Sequence, residues 1–571
     1  MAMFGENSIF HEKQAFEDEE DQASFLQMFK RKGLNNVLNY AENKFQTIRV
    51  MYEALSTLGR QSGENCIMKR TKDENKSDYA RKHGNKFFCS KNLEKAFHSY
   101  QEALCYAESD FQKAFCYGNI SAVFFQLKNP RASLKNIEMA RKFYPASGEQ
   151  KFLNKMSARE EACKNLTTVP VPQDLILSHP AHANIPGLSV NVGLRDPRTR
   201  NQHLYARNNL KYGDVIAVTE SFQVALDKHL AMEVNPETAY AKNIHFCYNC
   251  GVCSFDVIYP CDNCAIIQFC SETCKTEYSE SVHDFECECF KYWTDQYEVE
   301  NLLALLWTYR FLNAVIDVSQ EFTSCFDWTD GGQTLNDRAK CLLGSKQSLI
   351  TFEIAFRLTK RTLGLRDVLR TKTEYKELIS RYGGDETIFW DLYGKIYRKV
   401  KIGSFYNDFR KIVQTEKTKD LTEYASYVDT LHGIFNHSCR PNVFVFRPKH
   451  VNKNFYIIGE DVKAGQELTI SYLKVDDSTG KKVRIEILNI RFGFKCKCIG
   501  CTQLIFLMIC PDCVKDALVW LECKKKSLGI NQANTIFRKF IVEVHRGFCK
   551  NDFVKKIILS KGLKSLYKIQ Y

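Results

Sequence analysis

Three groups of residues in this chain have the types and spacing to do chemistry. The first is a cysteine-rich run: Cys247-x2-Cys250, Cys261-x2-Cys264, Cys270-x3-Cys274 and His283-x3-Cys287. Thiolates and an imidazole at such spacings are tetrahedral zinc ligands, and eight of them suffice for two ions. The second group, Cys496-x-Cys498-x2-Cys501, offers three ligands of a further site. The third is a compact polar turn, Asn436-His437-Ser438-Cys439-Arg440-Pro441-Asn442, with Tyr472 following Gly465-Gln466-Glu467-Leu468-Thr469-Ile470. Zinc sites closed by four protein ligands leave no position for a reactive water, so the cysteine groups read as structural and the turn with its tyrosine as the place for chemistry. Spacing allows the eight ligands to pair sequentially or to interleave. Cys253 and Cys289 lie near enough to be alternates and read as bystanders.

The elements that must position these residues belong to a chain of 571 residues, too long for one core and expected to divide into three or four units. Its 24 cysteines fit zinc better than a disulfide scaffold, because many stand in CxxC pairs near a histidine and the amino terminus lacks the pattern of an export signal. Cys66, Cys105, Cys116, Cys163, Cys325 and Cys341 read as small buried hydrophobes. The most apolar run, Asn301 to Val318, is broken by Arg310 and Asp317, so no membrane span is expected. Net charge is +13, of which Lys524 to Tyr571 carries +10: twelve Lys or Arg against Glu543 and Asp552. The remaining body is nearly balanced, which argues against direct nucleic-acid binding, and the basic end reads as a solvated helix or tail.

Along the chain, residues 1–70 carry an acidic run, Glu17-Asp18-Glu19-Glu20-Asp21, and read as a helical lead-in. An internal repeat comes next: Gly84, Phe87, Ala96, Tyr100 and Ala103 recur as Ser121, Phe124, Ser133, Ile137 and Ala140, each displaced by 37 residues. Small residues at those points let paired helices approach and apolar ones fill the gap, so 77–165 resembles two tetratricopeptide repeats completed by a helix over 148–163. Arg81, Asn85 and Asn119 fall on the inner helices, Lys151 and Lys155 one helix further on. After the linker Thr167 to Pro172, strands are expected at 204–206 and 214–218 around a turn at 211–214, and again at 443–446, 455–458 and 467–470, whereas 290–415 shows mostly helical patterning.

Taken in order, the NHSC turn, the Ile470-Ser471-Tyr472 end and the CxCxxC group resemble the SET lysine methyltransferases, and the cluster of 247–287 resembles a MYND zinc module. A SET domain with a MYND module inside it is similar to the SMYD family, in its repeat-bearing branch. The resemblance implies an α+β fold: a SET-type β core split by the MYND zinc module, with tetratricopeptide-like repeats in front and a helical insert. In these terms 180–246 is the N-terminal SET part, 247–287 the MYND finger, 288–420 the insert, 421–478 the catalytic part, 479–513 a post-SET zinc segment and 514–571 a basic tail. It also implies interleaved pairing, Cys247, Cys250, Cys270 and Cys274 on one ion and Cys261, Cys264, His283 and Cys287 on the other. Cys439 would join Cys496, Cys498 and Cys501 on a third.

The implied activity is methylation of a protein lysine from S-adenosyl-L-methionine, on a histone or non-histone substrate, in cytoplasm and nucleus. Tyr472 would be the catalytic residue, while Asn436, His437, Phe494 and the stretch Asn201-Gln202-His203 would hold the cofactor. Many SET domains have glycines where Asn201-Gln202-His203 stands, and side chains there restrict the backbone. Cys510-x2-Cys513 lacks a full ligand set and is left unassigned. Implied partners are a lysine-bearing protein substrate, proline-containing peptides at the MYND module and chaperone-type C-terminal peptides at the repeats. A second reading, of a different class, is a zinc-containing scaffold that recruits partners through MYND and repeats with little or no transfer activity.

Overall fold

The structure, a computed structural model, describes residues 72–166, 173–195, 203–226, 247–278, 404–407, 425–473, 481–501, 511–528 and 532–544, short gaps within them aside. It also describes positions within 369–393 and single residues such as His283, Cys287, Ile558 and Leu566. The N-terminal lead-in, most of the 290–415 region, Asn201, Gln202, Cys253, Cys289 and Cys510 lie outside the described residues, as do Cys66, Cys325 and Cys341.

Among the described residues five helices come first: α1 (Glu74–Cys89), α2 (Leu93–Tyr106), α3 (Asp110–Gln126), α4 (Pro130–Phe143) and α5 (Gln150–Lys164). Local sequence explains where they start. Asp73, Asn92, Ser109 and Asn129 each accept a backbone N–H of the first turn, and Pro130 sits where a missing donor costs nothing. The 37-residue offset reaches the backbone, since Lys91 and Lys128 both take positive φ, 61° and 59°, in the turn between paired helices. Close approach requires Gly84, where an added Cβ would lie 2.5 Å from the Tyr100 ring. On the far side Arg159 of α5 donates to the Gly118 carbonyl and to Ser121, completing the stack. Cys105, Cys116 and Cys163 are buried in it, and burial pushes the Cys105 and Cys116 thiols up to about 12, as suits small apolar fillers.

The strands come after them: β1 (Ala181–His182), β2 (Ile185–Ser189), β3 (Val192–Arg195), β4 (His203–Ala206), β5 (Val215–Thr219), β6 (Gln223–Leu226), β7 (Tyr259–Pro260) and β8 (Gln268–Phe269), then α6 (Glu272–Tyr278) and α7 (Thr373–Arg381). Next come β9 (Ser404–Asn407), β10 (Ala425–Val428), β11 (Asn436–His437), β12 (Val443–Phe446), β13 (Asn454–Ile458), β14 (Thr469–Ile470), and α8 (Lys481–Phe492), α9 (Pro511–Leu528) and α10 (Ala533–Glu543). Helix α7 belongs to a separate compact unit, residues 1–65 with 349–398, in which Tyr375 meets Phe389 edge-on at 5.2 Å. The main sheet has order β1-β2-β5-β13-β12, all antiparallel; β6-β10-β9, β3-β4 and β7-β8 form smaller sheets. Strand β9 lies within the region read from sequence as helical, and its pairing with β10 corrects that reading at Ser404–Asn407.

Central strand β13 reads Asn-Phe-Tyr-Ile-Ile and is buried throughout. Successive side chains of a strand point to opposite faces, so Phe455 and Ile457 enter one core while Tyr456 and Ile458 enter another. The first core holds the main correction to the sequence reading. The segment 514–571 is no solvated tail in its described parts: Ala517, Leu521, Ile536, Phe537, Phe540, Ile558 and Leu563 pack with Tyr212, Val215 and Phe455. Its lysines had dominated the composition, yet the apolar residues spaced between them form the inward faces of α9 and α10, with Arg538 and Lys539 left exposed. The turn at Gly213, φ +87°, allows α10 close, with Ile541 2.6 Å from where a Cβ would stand.

Truncating a ring in that core tests whether these helices support the sheet. Phe540→Ala is expected to destabilise the protein by roughly 3–5 kcal/mol, read as a shift in the chemical-denaturation midpoint of the full chain. A midpoint unchanged from wild type would return 514–571 to the status of a tail.

Candidate functional site

The site is built where two very short strands run parallel. Asn436 pairs with Thr469 and His437 with Ile470, and the Ser438 N–H donates to the Ile470 carbonyl at 2.9 Å. Two residues a side cannot hold a ladder alone, and side chains complete it. Buried Asn442 accepts the Thr469 N–H at 2.8 Å and donates to the Glu467 carbonyl at 2.8 Å, so the turn that follows β11 is tied by one side chain to the segment that enters β14. His437 Nδ1 accepts the Tyr472 N–H at 3.0 Å, so its other nitrogen carries the proton in the neutral ring and faces the Cys439 sulfur at 3.2 Å. The Asn436 amide donates to the Glu467 carboxylate at 2.5 Å, and the Tyr472 hydroxyl donates to the Phe435 carbonyl.

Entry to this knot is set by Asp429. Its buried carboxylate accepts the Leu431 and His432 N–H groups, the Asn454 amide and the Thr219 hydroxyl, which start the short 3-10 turn His432–Ile434 leading into β11. Burial raises its carboxyl above the usual range while these four donors oppose the rise. Asn454 is bonded in turn by Arg447, whose guanidinium also donates to the Cys250 carbonyl at 3.0 Å. A chain of buried polar groups therefore runs from the cysteine-rich module to the strand carrying Asn436.

Around Tyr472 stand His437 and Phe494, ring centroids 5.3 and 6.3 Å away, with His437 and Phe494 6.0 Å apart. Burial, and then the Glu467 charge, drive the Tyr472 hydroxyl above the usual phenol range, so it stays a neutral donor at any ordinary pH. His203 opens β4, paired with Arg195, and the next residue but one, Tyr205, bridges to Glu467. Thus Asn436, His437, Tyr472 and Phe494 come together, with His203 on a strand joined to the same knot. Glu467 and Asn442, which pin it, were missed as site residues; Asn442 stood in plain view at the end of the turn motif, without a signal that its side chain completes a strand.

Three ligand groups assemble: Cys247, Cys250, Cys270 and Cys274; Cys261, Cys264, His283 and Cys287; Cys439, Cys496, Cys498 and Cys501. Each could hold a metal ion, and the first two interleave, which removes the sequential alternative that spacing had left open. A tetrahedron with zinc–sulfur bonds of roughly 2.3 Å has sulfur–sulfur edges of roughly 3.8 Å. Cys250 and Cys274 lie 3.6 Å from Cys270, and Cys439 lies 3.5 Å from Cys501 and 3.9 Å from Cys496. Backbone N–H groups aim at the sulfurs, as Cys439 N does at Cys498 Sγ at 3.3 Å. The thiol of Cys439 pulls Cys496 down to about 3, and the same contact drives Cys439 upward. Sulfurs this close hold charge collectively, and a divalent cation resolves that by displacing the shared protons.

The module of the first two groups is locked on its outer side to the helices. Tyr117 donates to the Ile258 carbonyl at 2.6 Å, buried Gln101 to buried Gln268 at 2.7 Å, and Asn136 to the Asp256 carbonyl at 2.6 Å. On the inner helices Asn85 accepts from both Asn119 and Tyr100.

Residues 201–473 match the family model of the SET domain. Among curated proteins, the chain is 24% identical over 249 residues to the protein-lysine N-methyltransferase SMYD4 of Danio rerio, 41% of this chain and 32% of that protein. It is 23% identical over 348 residues to a SET domain-containing protein of Dictyostelium discoideum, 52% of this chain and 77% of that one. A SET and MYND domain-containing protein of the same organism is 25% identical over 264 residues, 43% and 47% of the two. The chain thus spans about a third of the length of the zebrafish relative and about half that of the SET and MYND protein. A solved SET domain, that of LSMT bound to lysine and AdoHcy, aligns with 12% identity over 61% of this chain and 62% of that one at TM-score 0.23, too low for anything to rest on it. The chain carries a SET domain. The SET domain match and the SMYD4 and SET-and-MYND relatives together support a SMYD-type family for it.

Metal analysis tests the ligand groups. Purified protein is expected to hold three zinc ions and Cys439→Ser two, with wild-type zinc released as pH falls and the thiolates protonate. Three ions in the Cys439→Ser protein would remove Cys439 from the third site.

Proposed function

We propose that this protein is an S-adenosylmethionine-dependent protein-lysine N-methyltransferase working in cytoplasm and nucleus, with three structural zinc ions. The observation that carries the reading is the knot itself, in which parallel strands β11 and β14 bring the Asn436-His437 turn, the Tyr472 hydroxyl and the Cys439 clasp to one place. The SET domain match and the lysine methyltransferase among its relatives point the same way.

When bound, S-adenosylmethionine supplies an electrophilic methyl carbon on a sulfonium. The chain's own residues do the rest. Asn436 and the backbone at His437 would hold the amino-acid and adenine ends, Phe494 would cover the adenine side, and the stretch Asn201-Gln202-His203 would add further contacts to the cofactor. The incoming lysine amine must be neutral to attack, against an ordinary pKa of roughly 10.4, and a narrow apolar channel favours the neutral form by penalising charge. Tyr472 and the Phe435 carbonyl offer oxygen atoms that steer the amine and accept weak C–H contacts from the methyl group. The carbon–nitrogen bond forms as the carbon–sulfur bond breaks, and the amine proton leaves to solvent. Alignment of three atoms is most of the task, and positioning alone can supply on the order of 7–11 kcal/mol. The repeats, locked to the MYND-like module, would present protein partners to this pocket, with C-terminal peptides at Asn85 and Asn119 and proline-containing peptides at the module.

Two measurements on the full chain separate an enzyme from a scaffold. Titration with S-adenosylmethionine should give saturable heat, and labelled methyl groups should pass to protein in a cell extract. Tyr472→Phe is expected to keep donor binding and lose transfer by about tenfold or more, the effect of one hydrogen bond near the reacting atoms. Equal labelling by both proteins would end the catalytic assignment of Tyr472, and no heat with wild type would favour the scaffold.

A further inference from the structure

We propose that Glu467 is the positioning residue of the donor site: its carboxylate sets the Asn436 side chain and provides the negative charge that prefers a cationic sulfonium to the neutral thioether left after transfer. The inference rests on the functional reading above and deepens it, since it concerns how the same pocket tells donor from spent product.

Glu467 stands at the meeting point of three segments of the site. Its backbone bridges to Tyr205 in β4, the strand that begins at His203. Its carbonyl accepts from Asn442, the side chain that completes the parallel pair. Its carboxylate Oε1 accepts from Asn436 Nδ2 at 2.5 Å, and two residues on begins β14, which leads to Tyr472. No other described residue touches the N-terminal strand, the turn and the tyrosine's strand at once by these bonds.

Two consequences arise from elementary chemistry. An asparagine amide has a donating and an accepting end, and with the NH2 group given to Glu467 the carbonyl end points the other way. That end suits an ammonium group such as the one on the amino-acid portion of the donor. The second consequence is electrostatic. Glu467 is only half-buried, and among the described residues its carboxylate meets an amide and no cation. A charge bonded to a neutral partner keeps most of its field, which reaches Tyr472 strongly enough to add to the upward push on its hydroxyl. A sulfonium at the same place is attracted, and a thioether is not. Turnover benefits from that difference, because the product would leave more readily than the donor.

Calorimetry on the full-length protein with S-adenosylmethionine and S-adenosylhomocysteine tests this, alongside metal content and the unfolding midpoint to confirm an intact fold. Wild type should bind the sulfonium more tightly than the thioether. Glu467→Gln, which keeps shape and loses charge, should weaken sulfonium binding by roughly tenfold, at the low end for a hydrogen-bonded charge, and change thioether binding by less than about threefold. Glu467→Asp should recover part of the preference, and Asn436→Ala should weaken both ligands together. Equal losses for both ligands in Glu467→Gln would reduce Glu467 to a structural strut, and equal wild-type affinity for the two would refute the charge argument without any variant. Wild type that binds neither ligand sinks the donor-site reading and this inference with it, whereas tight wild-type binding with an indifferent Glu467→Gln sinks this inference alone.

Discussion

The functional part of this protein hangs on a parallel pairing of two strands only two residues long. Parallel strands need long connections and gain little per residue, so β11 and β14 could not stay together on their own ladder. Asn442 supports the pairing by bonding the segment that enters β14 at two points from the turn that follows β11, and the Tyr472 N–H on His437 extends it past the end of β14. On the outside, the Cys439, Cys496, Cys498 and Cys501 group gathers Phe494 and the α8 residues Ile485 and Leu488 against Tyr472. The crossing is thereby tied at both ends, which lets a polar turn and a tyrosine from distant parts of the sequence share one small space.

Rigidity reaches the knot from two other directions. Strand β13, buried on both faces, is pressed between the C-terminal helices and the core that contains Leu468 and Ile470. Asp429, at the entry to β11, trades some of the cost of burial for four hydrogen bonds, and the relay through Asn454 and Arg447 reaches the Cys250 carbonyl. Small cysteine-rich modules lack an apolar core of their own and depend on metal and on neighbours for shape. Here the neighbours are the helices on one side, through Tyr117 and Gln101, and the network around Asn454 and Asp429 on the other, through Arg447. The module therefore works as a structural hub, and metal bound in it would bear on the Asn436-His437 turn without touching it.

Much of this was legible from residue types alone. The repeat offset of 37 survives into the matching positive φ angles of Lys91 and Lys128, because a repeated sequence repeats its turns. The run Phe455-Tyr456-Ile457-Ile458 announced a strand, which the structure buries on both faces, and the cysteine spacings announced tetrahedral groups. Less visible were the C-terminal helices, where composition counted charges and passed over the spacing of Leu521, Phe537 and Phe540. Strand β9 was masked by helical patterning around it, since its partner β10 is contiguous only in space.

What the sequence determined by itself was the inventory: which thiols could bind metal, which turn and tyrosine belonged together, and that helices came in repeated pairs. Such features are set by spacing along the chain, which local geometry reads directly. Tertiary structure decided the partnerships, namely the interleaving of Cys247, Cys250, Cys270 and Cys274, the completion of the third group by Cys439, and the seating of Asn436 on Glu467. Those choices depend on distances between segments tens or hundreds of residues apart. No spacing encodes them, because they are fixed only when burial of the shared cores brings the segments together.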